Sequence, residues 1–194
     1  MNQHINKPII LASVSPRRRQ AFKLLNVPFR AVESGYEEVM DQRMKHEDMV
    51  VFLALGKAKA AAKKYPTALI VTADTIVSFG GLALGKPKTA GEAAKMLAAL
   101  AGKWHRVVTG AVVMDAATGR LRRRVCINRV KFKKLSSGDI RKYVRLEHPY
   151  DKAGGYNLQN RGLELIEKFE GEFSNNLGLP LDFVFNSLAA LTAG

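Results

Sequence analysis

The sequence predicts a mixed α/β fold, and three observations carry that expectation. Apolar runs of strand length alternate with amphipathic helical stretches through most of the chain. Two long alternating segments, 104–114 and 120–134, flank a turn at Asp115–Gly119. Helix-start signals stand at Ser15-Pro16, Thr89–Glu92 and Ser136-Ser137, each ahead of a periodic apolar pattern.

Taken in order, residues 8–12 read as a short buried strand. Ser15 follows as a plain N-cap, with Pro16 at the first helical position, where its missing N–H costs nothing, and an amphipathic run through Ala21, Phe22, Leu24 and Leu25. A second strand is expected near Phe29–Glu33. Residues 46–64 form the clearest helix, with Val50, Leu53, Ala54, Ala58 and Ala61 in one stripe and Pro66 as its stop. Leu69–Ala73 reads as a strand that runs past Asp74-Thr75 into Ile76-Val77 and turns at Gly80-Gly81. Thr89 and Glu92 match a capping box opening a helix through Met96, Leu97 and Leu100, which Gly102 closes. Ser136 or Ser137 caps a helix carrying Ile140, Tyr143 and Val144. Residues 151–162 are Gly-rich and polar, hence loop; Leu163–Phe169 is strand-like, and a last helix runs from Pro180 to Leu191.

Composition narrows the class. At 194 residues the chain fits one globular unit or two small lobes, and an apolar fraction of 47% argues against disorder. Apolar runs such as Val71–Ala73 and Ala111–Met114 fall far short of the ~18 residues a membrane span needs. The stretch Pro8–Ala12 is too short for a signal-peptide core, and three arginines follow it. Cys126 is the single cysteine, which excludes an internal disulfide framework and a Cys-rich zinc site and points to a reducing, cytoplasmic home. The formal charge of +14 points to anionic partners without choosing between nucleic acid and a small phosphate ester. For Arg122-Arg123-Arg124 and Lys131–Lys134 the plain reading is a solvated basic surface.

Several segments could hold chemistry. Three arginines in the first turn after Ser15 oppose the helix dipole, and a bound polyphosphate gives them a reason, since guanidinium forks grip phosphate oxygens in pairs. Asp74, at the end of an apolar run, stands where open α/β sheets place ligand-binding groups; it could hold magnesium, deprotonate a water or simply form a turn. Glu38 is a second carboxylate, although on residue type alone it reads as an ordinary surface acid. Lys86, in Gly85-Lys86-Pro87, could reach a phosphate, but the tripeptide is not a Walker loop. Lys57 borders the buried helical stripe, and snorkelling toward water explains it equally well. Gln159 closes a loop with two glycines and can donate and accept at once, as reading a base edge requires. His105, in a strand-like core segment, reads as structural.

Together, Leu11-Ala12-Ser13-x-Ser15-Pro16-Arg17-Arg18, Ala73-Asp74-Thr75-Ile76-Val77, Leu84-Gly85-Lys86-Pro87, His105-x-Val107-x-Thr109, Asp151–Gln159 and Gly178-Leu179-Pro180-Leu181 resemble the Maf family of nucleoside-triphosphate pyrophosphatases along nearly the whole chain. The resemblance implies a phosphate-binding Ser13, Arg17 and Arg18, a catalytic Asp74, an acidic Glu38, and the lysines Lys57 and Lys86. It links Arg17, Thr75 and Gln159 to base choice and the branch acting on dTTP and UTP. It further implies a single domain over residues 1–194: a mixed twisted sheet in an elongated, two-lobed molecule with a central cleft, similar to the inosine-triphosphatase fold. A divalent metal, magnesium or manganese, held by Glu38 and Asp74, and a homodimer belong to the same expectation. Asn157 and Asn160 replace glycines beside Gln159, Ser174-Asn175-Asn176 replaces a more apolar stretch, and the charge is higher than the family pattern. Two rivals remain open on sequence: a nucleic-acid-binding module, and a cell-division regulator with an incidental nucleotide pocket. The basic clusters lack interleaved aromatic residues, which argues against stacking on single strands.

Overall fold

The computed structural model describes residues 6–39, 41 and 43–192, with the side chain of Asn160 outside the description. Seven strands form one mixed sheet: β1 (Ile9–Ala12), β2 (Arg30–Val32), β3 (Leu69–Phe79), β4 (Leu82–Leu84), β5 (Trp104–Asp115), β6 (Leu121–Phe132) and β7 (Ile166–Glu170). Their order is β2-β1-β3-β5-β6-β7, with β4 paired to β3. β1 runs parallel to both β2 and β3, whereas β4 is antiparallel to β3 and β7 to β6. The α-helices are α1 (Pro16–Lys23), α2 (His46–Lys64), α3 (Ala90–Leu100), α4 (Ser137–Glu147) and α5 (Leu181–Thr192).

The chain divides into two compact units, one of Met1–Asp74, Thr109–Cys126 and Leu177–Gly194, the other of Thr75–Val108 and Ile127–Asn176. In the first, strand parity sorts the core into two layers. Ile9, Leu11, Leu69, Val71, Ala73, Ala111 and Val113 face Phe22 of α1 and Phe183, Val184 and Leu188 of α5. Ile10, Ala12, Ile70, Val112 and Met114 face Ala54, Ala58 and Ala61 of α2. Both faces of these strands are buried, so they read as continuous apolar runs. The second unit packs Leu97 and Leu100 of α3 and Ile140 and Val144 of α4 with Val77, Val130 and Phe132.

Local signals explain the element ends. Acidic Glu47 and Asp48 open α2 and basic Lys63 and Lys64 close it, as the helix dipole favours. Ser136, not Ser137, caps α4 in a full capping box with Asp139. At α3 only half the box forms: Thr89 accepts from the Glu92 N–H, while the Glu92 carboxylate accepts from the Lys88 N–H instead. At the turn after β5, Asp115 accepts from the Ala117 N–H and the Thr118 hydroxyl and pairs with Lys7 at 2.7 Å.

Two expectations are corrected, one is borne out and one strand is added. Ser15 stands at the N-cap of α1, but its side chain makes no capping bond. Residues 160–165 form a 3-10 turn and β7 starts only at Ile166, because the chain folds back so closely that a β-carbon on Gly162 would lie 1.8 Å from the Asn157 carbonyl oxygen. Asp74 lies inside β3, which runs on past it through Ile76 and Val77 as expected. β4 is the added strand, the return arm of the turn at Gly80-Gly81, both of which have positive φ.

Candidate active site

The site begins with how α2 docks on β3. The Thr72 hydroxyl donates to the Ala54 carbonyl at 2.7 Å, fixing the register of strand against helix. Asp74 follows two residues later on the same strand face, and Lys57 follows Ala54 by about one helical turn. That register sets the Lys57 ammonium against Asp74, to which it donates a short hydrogen bond, and the same nitrogen lies 2.7 Å from Glu38. The Lys57 and Asp74 side chains are 11% and 12% exposed, and Glu38 is 48% exposed. Lys57 therefore does not snorkel to water. It points into a largely dry place and meets two carboxylates there.

β5 supports the helix from beneath. A β-carbon on Gly110 would lie 2.5 Å from the Val50 carbonyl carbon, so the backbones of β5 and α2 touch where only glycine fits. Although Asp74 lies inside β3, its parallel neighbour β1 ends at Ala12, and Leu11 pairs with Val71. Asp74 thus sits just past the carboxyl end of the parallel strands, which is where such sheets bind ligands.

The turn after β1 brings the cations. Ser13 is buried, and its hydroxyl oxygen accepts the Ser15 N–H at 3.2 Å. α1 has no acid in its first turn and places Arg17 and Arg18, both half-buried, beside its N-terminus. Arg18 Nε donates to the Gly178 carbonyl at 2.8 Å, which steers the guanidinium. Burial pulls the Arg18 pKa down, while the negative charge of Asp74 pulls it up; Arg17 lowers it further and Glu38 raises it. Arg18 therefore shares one electrostatic neighbourhood with both carboxylates and with Arg17.

The second unit holds the other three candidates. Thr75 directly follows Asp74 in β3. Lys86 is exposed, and the carbonyl of Gly85 before it accepts the Gly154 N–H at 2.9 Å. The 151–159 loop is thereby tied to the Gly85-Lys86 segment, and its Gln159 N–H donates to Asn157 Oδ1 at 3.1 Å. Gly154 has φ +68°, and a β-carbon there would lie 3.0 Å from Val77, so this loop lies directly on β3. His105 is structural in its setting: it is buried, edge-on to Phe132 and Tyr156, and shares a 2.6 Å hydrogen bond with the Tyr156 hydroxyl.

Sequence reasoning passed over Thr72, Gly56, Tyr36 and the anchoring role of Gly178. Thr72 is hidden in an apolar strand, and the Gly178 carbonyl acts as backbone. Gly56 did leave a signal, since a glycine in mid-helix is unfavourable by roughly 1 kcal/mol against alanine and asks for a reason.

For a divalent metal, the test is the donor set. Among the described residues no group of three or more His, Cys, Asp or Glu side chains could hold a metal ion. Two carboxylates do converge on one point, the Lys57 nitrogen. Magnesium characteristically takes one or two carboxylates and completes its shell with waters and substrate phosphates, so Glu38 and Asp74 fit that mode and not an all-protein cage.

Fold and site thus define an α/β protein that gathers two acids, a lysine and two arginines around the carboxyl ends of its parallel strands. Residues 8–191 match the family described as Maf-like protein, and the chain belongs to that family. A dTTP/UTP pyrophosphatase of Pelotomaculum thermopropionicum is 43% identical over 175 residues, 90% of this chain and 92% of that protein. A dTTP/UTP pyrophosphatase of Methanococcoides burtonii is 39% identical over 176 residues, 90% of each. Among solved structures, a HAM1 protein from Coxiella burnetii is similar with a TM-score of 0.52 over 97% of this chain and 100% of that one, at 17% identity, a likeness of fold alone.

Proposed function

We propose that this chain is a nucleoside-triphosphate pyrophosphatase acting on dTTP and UTP, including modified pyrimidine nucleotides, to give the monophosphate and pyrophosphate. The observation that carries this reading is the convergence of Asp74 and Glu38 on Lys57 within the electrostatic reach of Arg18. Water attacks the α-phosphorus and the bond to the bridging oxygen of the β-phosphate breaks. Asp74 takes the proton of the water, and pyrophosphate departs. Ser13, Arg17 and Arg18 hold phosphate oxygens, while Lys57 and Lys86 offset the charge that builds on the leaving group. Arg17, Thr75 and Gln159 are assigned to the base, on their match to the family pattern. Glu38 and Asp74 would hold a magnesium or manganese ion, which supplies Lewis-acid polarisation of the phosphates.

The remaining parts of the proposal are a single catalytic domain spanning 1–194, a homodimer and a cytoplasmic setting. The family match over 8–191 supports the first, and the lone Cys126 supports a reducing compartment. No helix among the described residues is long and apolar enough to cross a membrane.

The test is incubation of purified protein and Mg²⁺ with dTTP, UTP and their modified forms, with monophosphate and pyrophosphate quantified at two salt concentrations. Turnover of dTTP and UTP is expected. No turnover, together with polynucleotide binding that falls steeply with salt, would instead favour a nucleic-acid-binding role for the +14 charge.

A further inference from the structure

We propose that Tyr36 positions Glu38 over Lys57 by lying on Gly56, and that residue 56 is glycine because the ring needs the space. The inference rests on the reading in which Glu38 serves the reaction. Gly56 stands in the middle of α2, where glycine is the poorest helix former after proline. A β-carbon there would lie 2.3 Å from Tyr36 Cζ and 2.6 and 2.8 Å from its two Cε atoms. The ring is therefore seated on bare helix backbone.

The next helical residue is Lys57, and its nitrogen meets Glu38, two residues beyond Tyr36. Two adjacent contacts, one apolar and one ionic, thus fasten the 33–39 segment to α2. The segment has no regular secondary structure of its own here. Upstream of the ring, the Tyr36 N–H donates to the Ser34 hydroxyl at 3.3 Å, and Gly35 turns at φ +70° against Lys64. Glu38 is half-exposed on a loop, where electrostatic contacts orient a long side chain weakly. The ring contact restricts the arc through which its carboxylate can swing. The atoms nearest Gly56 are ring carbons, so the ring, and not the hydroxyl, carries the role.

The experiment compares Tyr36→Phe, Tyr36→Ala, Gly56→Ala, Glu38→Gln and the Tyr36→Ala/Glu38→Gln pair. It records kcat and KM for dTTP with Mg²⁺, binding of Mn²⁺ by electron paramagnetic resonance, and the thermal midpoint. Tyr36→Phe is expected to match the parent. Tyr36→Ala and Gly56→Ala are expected to lose roughly tenfold or more in kcat, as small misplacements of reacting groups do, and to weaken Mn²⁺ binding. The paired variant is expected to be no worse than Glu38→Gln alone, because Tyr36 then has nothing left to position. Losses that multiply in the pair, or a Tyr36→Phe as damaged as Tyr36→Ala, would overturn the proposal. So would Tyr36→Ala and Gly56→Ala that match the parent while Glu38→Gln is impaired; that outcome leaves the reading of Glu38 standing. A fully active Glu38→Gln would overturn the reading of Glu38 itself, and this inference with it.

Discussion

Lys57, on the buried stripe of α2, hydrogen-bonds Asp74 in the middle of β3. Helix and strand here present opposite charges at the point where their register is locked by Thr72 and Ala54. Removing both charges from water is costly, and an isolated pair in such a place is a poor source of stability. Glu38 and Arg18 add charges of both signs around it. Such a group of ions is better suited to meeting a polyanion than to holding a core together.

Replacing either member separates these two roles. Asp74→Asn keeps the shape and an acceptor for Lys57 but removes the charge. It is expected to fold normally and to lose at least about 10²-fold in the rate of pyrophosphate release. Lys57→Met leaves two carboxylates facing one another and is expected to cost about 3 kcal/mol of stability, in line with breaking a buried pair, as well as activity. Urea unfolding and a pyrophosphate assay check both. A Lys57→Met protein as stable as the parent would show that the pair is not dry in solution, and near-parental turnover by Asp74→Asn would remove its assigned role.

Much of this arrangement was legible in the sequence because it is written in local signals. The stripe of α2, the Pro16 start of α1 and the apolar runs of β1, β3 and β5 follow from side-chain period and from the place proline takes in a first helical turn. The charged residues could be named as candidates, but their convergence could not be seen from composition or spacing. Glu38 looked like any surface acid, because its partner Lys57 is set by tertiary docking. The Thr72 hydroxyl acts on a backbone carbonyl and Gly178 acts through its own, which leaves no chemical signature in a sequence, and Gly56 leaves only the oddity of a glycine in mid-helix. Leu163–Leu165 misled in the opposite direction: the residues look like strand, but the tight fold at Gly162 bends them into a turn.

The contact beneath α2 gives a prediction about stability alone. Alanine at Gly110 would put its β-carbon 2.5 Å from the Val50 carbonyl carbon and 2.6 Å from the Val51 nitrogen, both backbone atoms that cannot rotate away. Helix and strand must separate, and an expected loss of about 2–3 kcal/mol follows from overpacking of this kind. Chemical denaturation of Gly110→Ala measures it. A variant within 0.5 kcal/mol of the parent, taken as roughly the scatter of neutral substitutions, would contradict the close approach.

Gly154→Ala tests the loop instead. A side chain at φ +68° is strained, and its β-carbon presses on Val77 at 3.0 Å. The expected response is a shift of the 151–159 loop that weakens the bond from the Gly154 N–H to the Gly85 carbonyl and moves Gln159 and Lys86 together. Displacement of Gln159 from the base raises KM for dTTP roughly tenfold, and displacement of Lys86 from the leaving group lowers kcat as well. Steady-state kinetics decide it, and an equal fall in kcat with KM unchanged would place the loop's contribution in the chemical step.

The last prediction concerns acid stability and His105. Burial pushes its pKa from 6.5 down to about 4, against a backbone contact at Lys103 that acts the other way. The phenol of Tyr156, held protonated by its own burial, shares the hydrogen bond. The folded protein therefore keeps His105 neutral at a pH where the unfolded chain protonates it. Above pH ~6.5 neither state binds the proton and His105 leaves stability independent of pH; between about 6.5 and 4 the unfolded state binds more protons, so stability falls as the pH falls. Below about 4 both states are protonated and the slope from this group ends. A shift of this size corresponds to about 3 kcal/mol over the window, at about 1.4 kcal/mol per pH unit. His105→Gln, which has no ring to titrate, should lose that slope, so the stability difference between parent and variant changes by about this amount from pH 7 to pH 4. Denaturation curves at half-unit pH steps provide the measurement, and parallel parent and variant profiles across that window would show that His105 takes up its proton in the folded state as readily as in the unfolded one.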